Sequence, residues 1–230
     1  MKANLALQEN TKGTDWVVAD IHGCYTKLMN KLARINFDFD ADRLICSGDL
    51  CDRGLESKEV VELLDEKWFY STLGNHELMC IEAYKFDWAR RDFCYNGGMW
   101  FYHELPTDQD RIVEKLMGLP LTIRFPVQNR QYLVVHARIP RDDSLHPNMQ
   151  ADKEMSSVSR EYMQDAVWSR HITNIFNQTA YVQGFDMVFC GHTVVSEVTQ
   201  VANYLDLDTG VVFDETKEFV LYNTKTEEIV

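Results

Sequence analysis

The sequence predicts an α/β fold in which helices flank a central pair of sheets. Three observations carry this reading. Apolar strand runs alternate with helical stripes in the first third of the chain, the middle is more helical, and the last third returns to short strands.

Trp16, Val17, Val18 and Ala19 form the first buried-strand run. The spacing of Leu28, Leu32 and Ile35 puts one apolar stripe on a helix over 25–35. Residues 43–46 (Arg-Leu-Ile-Cys) read as a second strand, and 56–67 as a second helix carrying Val60, Val61, Leu63 and Leu64. Residues 68–73 read as a third strand. This β-α-β-α-β order implies parallel strands joined by crossover helices. Ile112, Val113 and Leu116 mark a helix over 108–117. Short strands are expected at 131–135, 187–190, 204–207, 211–213 and 219–222, and the polar stretch 141–160 as a surface insertion. With no repeat, linker or low-complexity tract, residues 1–230 are expected to form a single domain.

Five of these strands end in chemistry. Residues 16–19 run into Asp20, His22 and Gly23; 43–46 into Gly48, Asp49, Cys51, Asp52, Arg53 and Gly54. Residues 68–73 run into Gly74, Asn75, His76 and Glu77; 132–135 into His136 and Arg138; 187–190 into Gly191 and His192. The C-terminal edge of an α/β sheet is where ligands bind. Carboxylate, imidazole and amide donors without thiolate suit divalent first-row metals such as Mn, Fe or Zn. The donors outnumber the needs of one ion, and a carboxylate can bridge two. Two such ions clamp an in-line displacement and acidify a water. A histidine alone is more often packed or solvent-facing than a ligand. His103, His146 and His171, which lack the strand-end context, are read that way, and Cys51 as packing.

Composition narrows the partners. With 230 residues, 45% hydrophobic, and a net charge of −13, the chain lacks the basic balance of a nucleic-acid binder or of a protein attracted to an acidic membrane. No secretory h-region follows Met1, and no apolar run reaches the ~20 residues that span a bilayer. The six cysteines lie mostly in apolar stretches with no Cys-x-x-Cys pair, so reduced cysteines and a cytoplasmic setting are expected.

The blocks Asp20-x-His22-Gly23, Gly48-Asp49-x-x-Asp52-Arg53-Gly54 and Gly74-Asn75-His76-Glu77 resemble the three signature blocks of the PPP phosphoprotein phosphatases. His136-Ala137 and Gly191-His192 match the two later histidine blocks. The similarity is to the compact bacterial and phage branch, and Asn96-Gly97-Gly98 with Trp100 extends it beyond the motifs. The resemblance implies a metallophosphoesterase-like, four-layer αββα fold with a central β-sandwich. It implies hydrolysis of phosphoserine and phosphothreonine, with phosphotyrosine and phosphohistidine as further candidates, in a protein or peptide substrate by a metal-activated water, with two divalent ions, Mn²⁺ first among them. In that pattern Asp20, His22 and Asp49 hold one metal. Asp49 bridges to a second held by Asn75, His136 and His192. His76 is the general acid, oriented by Asp52, and Arg53, Arg170 and Asn75 contact phosphate.

The chain departs from the pattern at Ala19, where glycine is usual, and at Arg138, read either as a positive group at the site rim or as a solvent-facing arginine. A diadenosine tetraphosphate hydrolase of the same fold is the nearest rival; that family tends to lack the counterpart of Asp52 and to carry aspartate at position 77. An inactive phosphopeptide-binding scaffold is the second rival, disfavoured because no motif residue is missing. Cys-x5-Arg and Walker A are absent, Asp206-Leu207-Asp208-Thr209 misplaces the threonine of an aspartyl-phosphate motif, and 38–42 reads as an acidic turn.

Overall fold

The computed structural model describes residues 3–139, 155–170 and 181–230. Most of the expected insertion at 141–160, together with His146 and His171, lies outside the described residues.

Two sheets form the centre. The smaller has the order β10-β2-β3-β4, from Leu221–Asn223, Asp15–Val18, Arg43–Cys46 and Phe69–Ser71. Strands β2, β3 and β4 are parallel, as the alternating pattern requires, and β10 closes the edge antiparallel to β2. The larger sheet has the order β1-β5-β6-β7-β9-β8, from Asn4–Ala6, Thr122–Val127, Arg130–Val135, Met187–Cys190, Tyr204–Asp206 and Thr199–Val201. In it β6, β7 and β9 run parallel.

Alternation along each strand explains the four layers. Val17 and Ile45 of the small sheet meet Ile123, Phe125, Val134, Phe189 and Leu205 of the large one in a shared inner core. Their neighbours Trp16, Val18, Leu44 and Cys46 point outward into a second core with Leu28 and Leu32 of α1 (Tyr25–Arg34) and Val60 and Val61 of α2 (Ser57–Glu62). On the large sheet Leu133, Val135 and Val188 share that core with Tyr162, Ala166 and Val167 of a later helix, Arg160–Trp168. Strands buried on both faces read as unbroken apolar runs, which is why 16–19 and 43–46 were legible.

Three elements differ from expectation. The helix expected over 56–67 stops at Glu62 and continues as a single 3₁₀ turn, Leu63–Asp65. Residues 211–213 are a 3₁₀ turn rather than a strand, because the Phe213 N–H turns back to the Gly210 carbonyl at 3.1 Å. Arg138 does not face solvent. It is buried, with its guanidinium 4.4 Å from the Tyr204 ring centroid, where a planar cation is attracted to the aromatic face.

Candidate active site

The C-terminal ends of β2, β3 and β4 and of β6 and β7 converge on one cluster. Helix α3 (Asn75–Lys85) starts where β4 ends, so Asn75 and His76 sit in its first turn. Asp20, His22, Asp49, Asp52, Asn75, His76, His136 and His192 are all buried there. Asp49 lies in the middle. Its Oδ2 is 3.6 Å from His22 Nε2 and 3.9 Å from His76 Nε2, and its Oδ1 is 3.4 Å from His136 Nε2. Asp20 is 3.9 Å from both His22 and His136 and accepts the His192 backbone N–H at 3.1 Å.

The backbone here is strained. His22, Asp49, Asp52, Arg53 and His192 all have positive φ, a region that costs a non-glycine residue of order 1–3 kcal/mol. Hydrogen bonds hold the loops in that shape. The Asp49 carbonyl accepts from the N–H groups of Ile21 and His22, and the His22 carbonyl accepts from Gly54. The Glu77 carboxylate accepts from the backbone of Asp49 at 2.8 Å, Leu50 at 2.7 Å and Gly74 at 2.9 Å. Glu77 thereby caps α3 and pins the β3 loop in one stroke. An aspartate, one methylene shorter, would not span these three donors.

The imidazoles are turned inward by partners on their far side. His22 Nδ1 donates to the Cys51 carbonyl at 2.9 Å and His136 Nδ1 to the Ser47 carbonyl at 3.0 Å. The His192 ring hydrogen-bonds the Trp168 backbone. Burial pushes His22 and His136 well below the ordinary histidine value, and His192 down to about 4. These rings are therefore neutral, with the lone pair of the inward nitrogen facing the cluster. His136 Nε2 confronts Asn75 Oδ1 at 2.9 Å, two electron-pair donors aimed at each other. His76 Nε2 and His192 Nε2 are buried without a hydrogen-bond partner among the described residues.

Burial, with neighbouring carboxylates, raises Asp20 and Asp49 well above the usual range. Such a concentration of buried acid and inward lone pairs fits divalent cations. Far-side carbonyls on ligating histidines are the usual outer-layer arrangement. Among the described residues two groups have the right reach, His22 with Asp49 and His76, and Asp49 with His136 and His192, and Asp49 is common to both. The first group contains His76 where the sequence pattern expects Asp20. His76 differs from the other rings in its partner: its Nδ1 faces the Asp52 carboxylate at 2.7 Å rather than a carbonyl.

The two arginines differ in placement. Arg53 is exposed, donates from Nη1 to His22 Nε2, and lies 5.1 Å from the Phe213 ring centroid. Arg170 is exposed, and its charge helps lower His192. Three contributors escaped sequence reasoning. Glu77 served there only to separate rival families. The Cys51 side chain packs as expected, but its carbonyl orients His22. Asp208 hydrogen-bonds Asp20 and adds to its negative surroundings. The signal for Asp208 was available, since it too follows a strand, β9.

The profile of the calcineurin-like phosphoesterase family matches residues 16–196. The chain belongs to that family. This phosphoesterase is 35% identical to serine/threonine-protein phosphatase 2 of Salmonella typhimurium, over 85% of its own length and 86% of the relative's. It is 26% identical to an asymmetrical bis(5'-nucleosyl)-tetraphosphatase of Halalkalibacterium halodurans, over 86% and 85% of the two chains. A crystal structure described as a candidate diadenosine tetraphosphatase superposes on the phosphoesterase with a TM-score of 0.70, covering 100% of this chain and 97% of that one at 23% identity, which speaks to fold alone. Among the described residues no helix is long and apolar enough to cross a membrane.

Proposed function

We propose that this phosphoesterase is a phosphoprotein phosphatase that hydrolyses phosphoserine and phosphothreonine monoesters with two divalent cations, Mn²⁺ being the natural pair. The observation that carries the reading is Asp49: one carboxylate within reach of two ligand groups, with the His76–Asp52 pair beside it. Asp20, His22 and Asp49 would hold one cation, and Asp49, Asn75, His136 and His192 the other.

When bound, two such cations acidify a water and offset the charge of the phosphate. The protein's own groups do the rest. Arg53 and Arg170 grip the phosphate oxygens, for which a planar guanidinium is suited, and the Asn75 amide adds a contact. Water attacks phosphorus in line as the bond from phosphorus to the seryl oxygen breaks. His76 Nε2 delivers its proton to that departing oxygen, which leaves as an alcohol. Asp52 holds the opposite ring nitrogen throughout. The greater identity to a named serine/threonine phosphatase than to a named tetraphosphatase supports the substrate class. Six free cysteines agree with a cytoplasmic setting.

The test is removal and return of metal. Exhaustive chelation should abolish hydrolysis of a phosphoserine peptide and Mn²⁺ should restore it; full activity in the stripped protein contradicts the proposal.

A further inference from the structure

We infer that Trp100 is a positioning residue for proton donation, holding Asp52 so that Asp52 can hold His76. The inference rests on the reading of His76 as the acid. The indole Nε1–H of Trp100 donates to Asp52 Oδ1 at 2.7 Å, while Asp52 Oδ2 faces His76 Nδ1 at 2.7 Å. Trp100 and His76 thus hold different oxygens of this fully buried carboxylate, which also receives the Cys51 thiol, and the three side chains form a chain from Trp100 through Asp52 to His76.

The fold brings Trp100 there on purpose-built supports. It sits on a 3₁₀ segment, Gly98–His103, anchored by Phe101, which is fully buried and packs edge-on against Phe93. The turn entering that segment presses on the β3 loop. Gly97 has φ +104, and a Cβ there would lie 2.5 Å from the Arg53 backbone nitrogen, so only glycine permits the approach. Asp52 itself has φ +71, and its N–H is tied to Ser57 Oγ at 2.9 Å. Main chain and one carboxylate oxygen are both fixed, and the remaining oxygen faces His76. A neutral indole is the right donor. Lysine or arginine in its place would neutralise Asp52 and remove its pull on the imidazole proton.

Removing the indole N–H leaves a buried carboxylate oxygen unpaired and frees the carboxylate to turn. In the metal-loaded enzyme, Trp100→Phe should lower kcat on a phosphoserine peptide by roughly ten- to a hundredfold, the reach of one hydrogen bond to a charged group. KM should hardly move, and the loss on p-nitrophenyl phosphate, whose leaving group needs the proton less, should be smaller. In an Asp52→Asn background the same change should cost nothing further, since a residue acting through Asp52 is non-additive with it. Trp100→His keeps a ring N–H and should retain more kcat on the peptide than Trp100→Phe. Equal losses on both substrates, additivity with Asp52→Asn, or equal loss in the Phe and His variants overturns the role and leaves Trp100 as packing. His76→Asn is measured alongside. If that variant loses both substrates equally, the acid assignment itself falls, and the Trp100 role with it.

Discussion

His76 Nδ1 and Asp52 Oδ2 lie 2.7 Å apart with both side chains buried. Burial pushes the Asp52 carboxyl up to about 7 and the His76 ring down to about 3. Both shifts disfavour charge on the pair in the metal-free chain, and His76 Nε2 is the atom facing the cluster.

That arrangement predicts an uneven loss. A seryl oxygen is a poor leaving group and needs the Nε2 proton, whereas nitrophenolate needs it less. His76→Asn should retain its metals and lose about 10²–10⁴ in kcat on a phosphoserine peptide, the range of a positioned acid. The loss on p-nitrophenyl phosphate should be clearly smaller. No phosphoenzyme should be trapped on either substrate, because water attacks directly. Equal losses with metals intact would reassign His76 to positioning or charge stabilisation.

Asp49 is shared by both ligand groups, so it should be the most damaging carboxylate to neutralise. Elemental analysis of the parent should find about two metal ions per chain. Asp49→Asn should deplete both, and Asp20→Asn should retain more. Metal content unchanged in Asp49→Asn would remove it from the centre.

Stability should report the same acid cluster. Asp206 is raised to about 8 and Asp52 to about 7, chiefly by burial, against about 4 in an unfolded chain. In this window the folded chain binds more protons than the unfolded one, so its stability falls as pH rises toward and through these values. The buried histidines oppose this near pH 6.5, where an unfolded imidazole is half protonated and a folded one is not, and contribute little only above about pH 7.5. The thermal midpoint of the metal-free protein should therefore drop between about pH 7.5 and 8.5, and Mn²⁺ should flatten the drop by favouring ionised carboxylates. A midpoint that rises over this range without metal would contradict the arrangement.

Much of this was legible in the sequence, for identifiable reasons. Strands β2 and β3 are buried on both faces, so Trp16–Val18 and Leu44–Cys46 show unbroken apolar runs, and the residues after them announce the site. Helix α3 was obscure because its first turn spends buried positions on Asn75, His76 and Glu77 instead of an apolar stripe. Val211, Val212 and Phe213 have strand-like side chains but are bent by a backbone hydrogen bond that composition does not encode. Arg138 finds Tyr204, and Trp100 finds Asp52, across long stretches of chain. Such pairings depend on how layers pack, and no local period reveals them.

The substrate class is the central claim, and a parallel assay tests it most directly. The Mn²⁺-loaded protein is offered a panel of phosphoserine and phosphothreonine peptides and, separately, diadenosine tetraphosphate. Asp52 behind His76, and Glu77 spanning three backbone donors, both follow the phosphatase pattern. The account predicts a higher kcat/KM on phosphopeptide than on the dinucleotide. A higher kcat/KM on diadenosine tetraphosphate than on every peptide tried would contradict it.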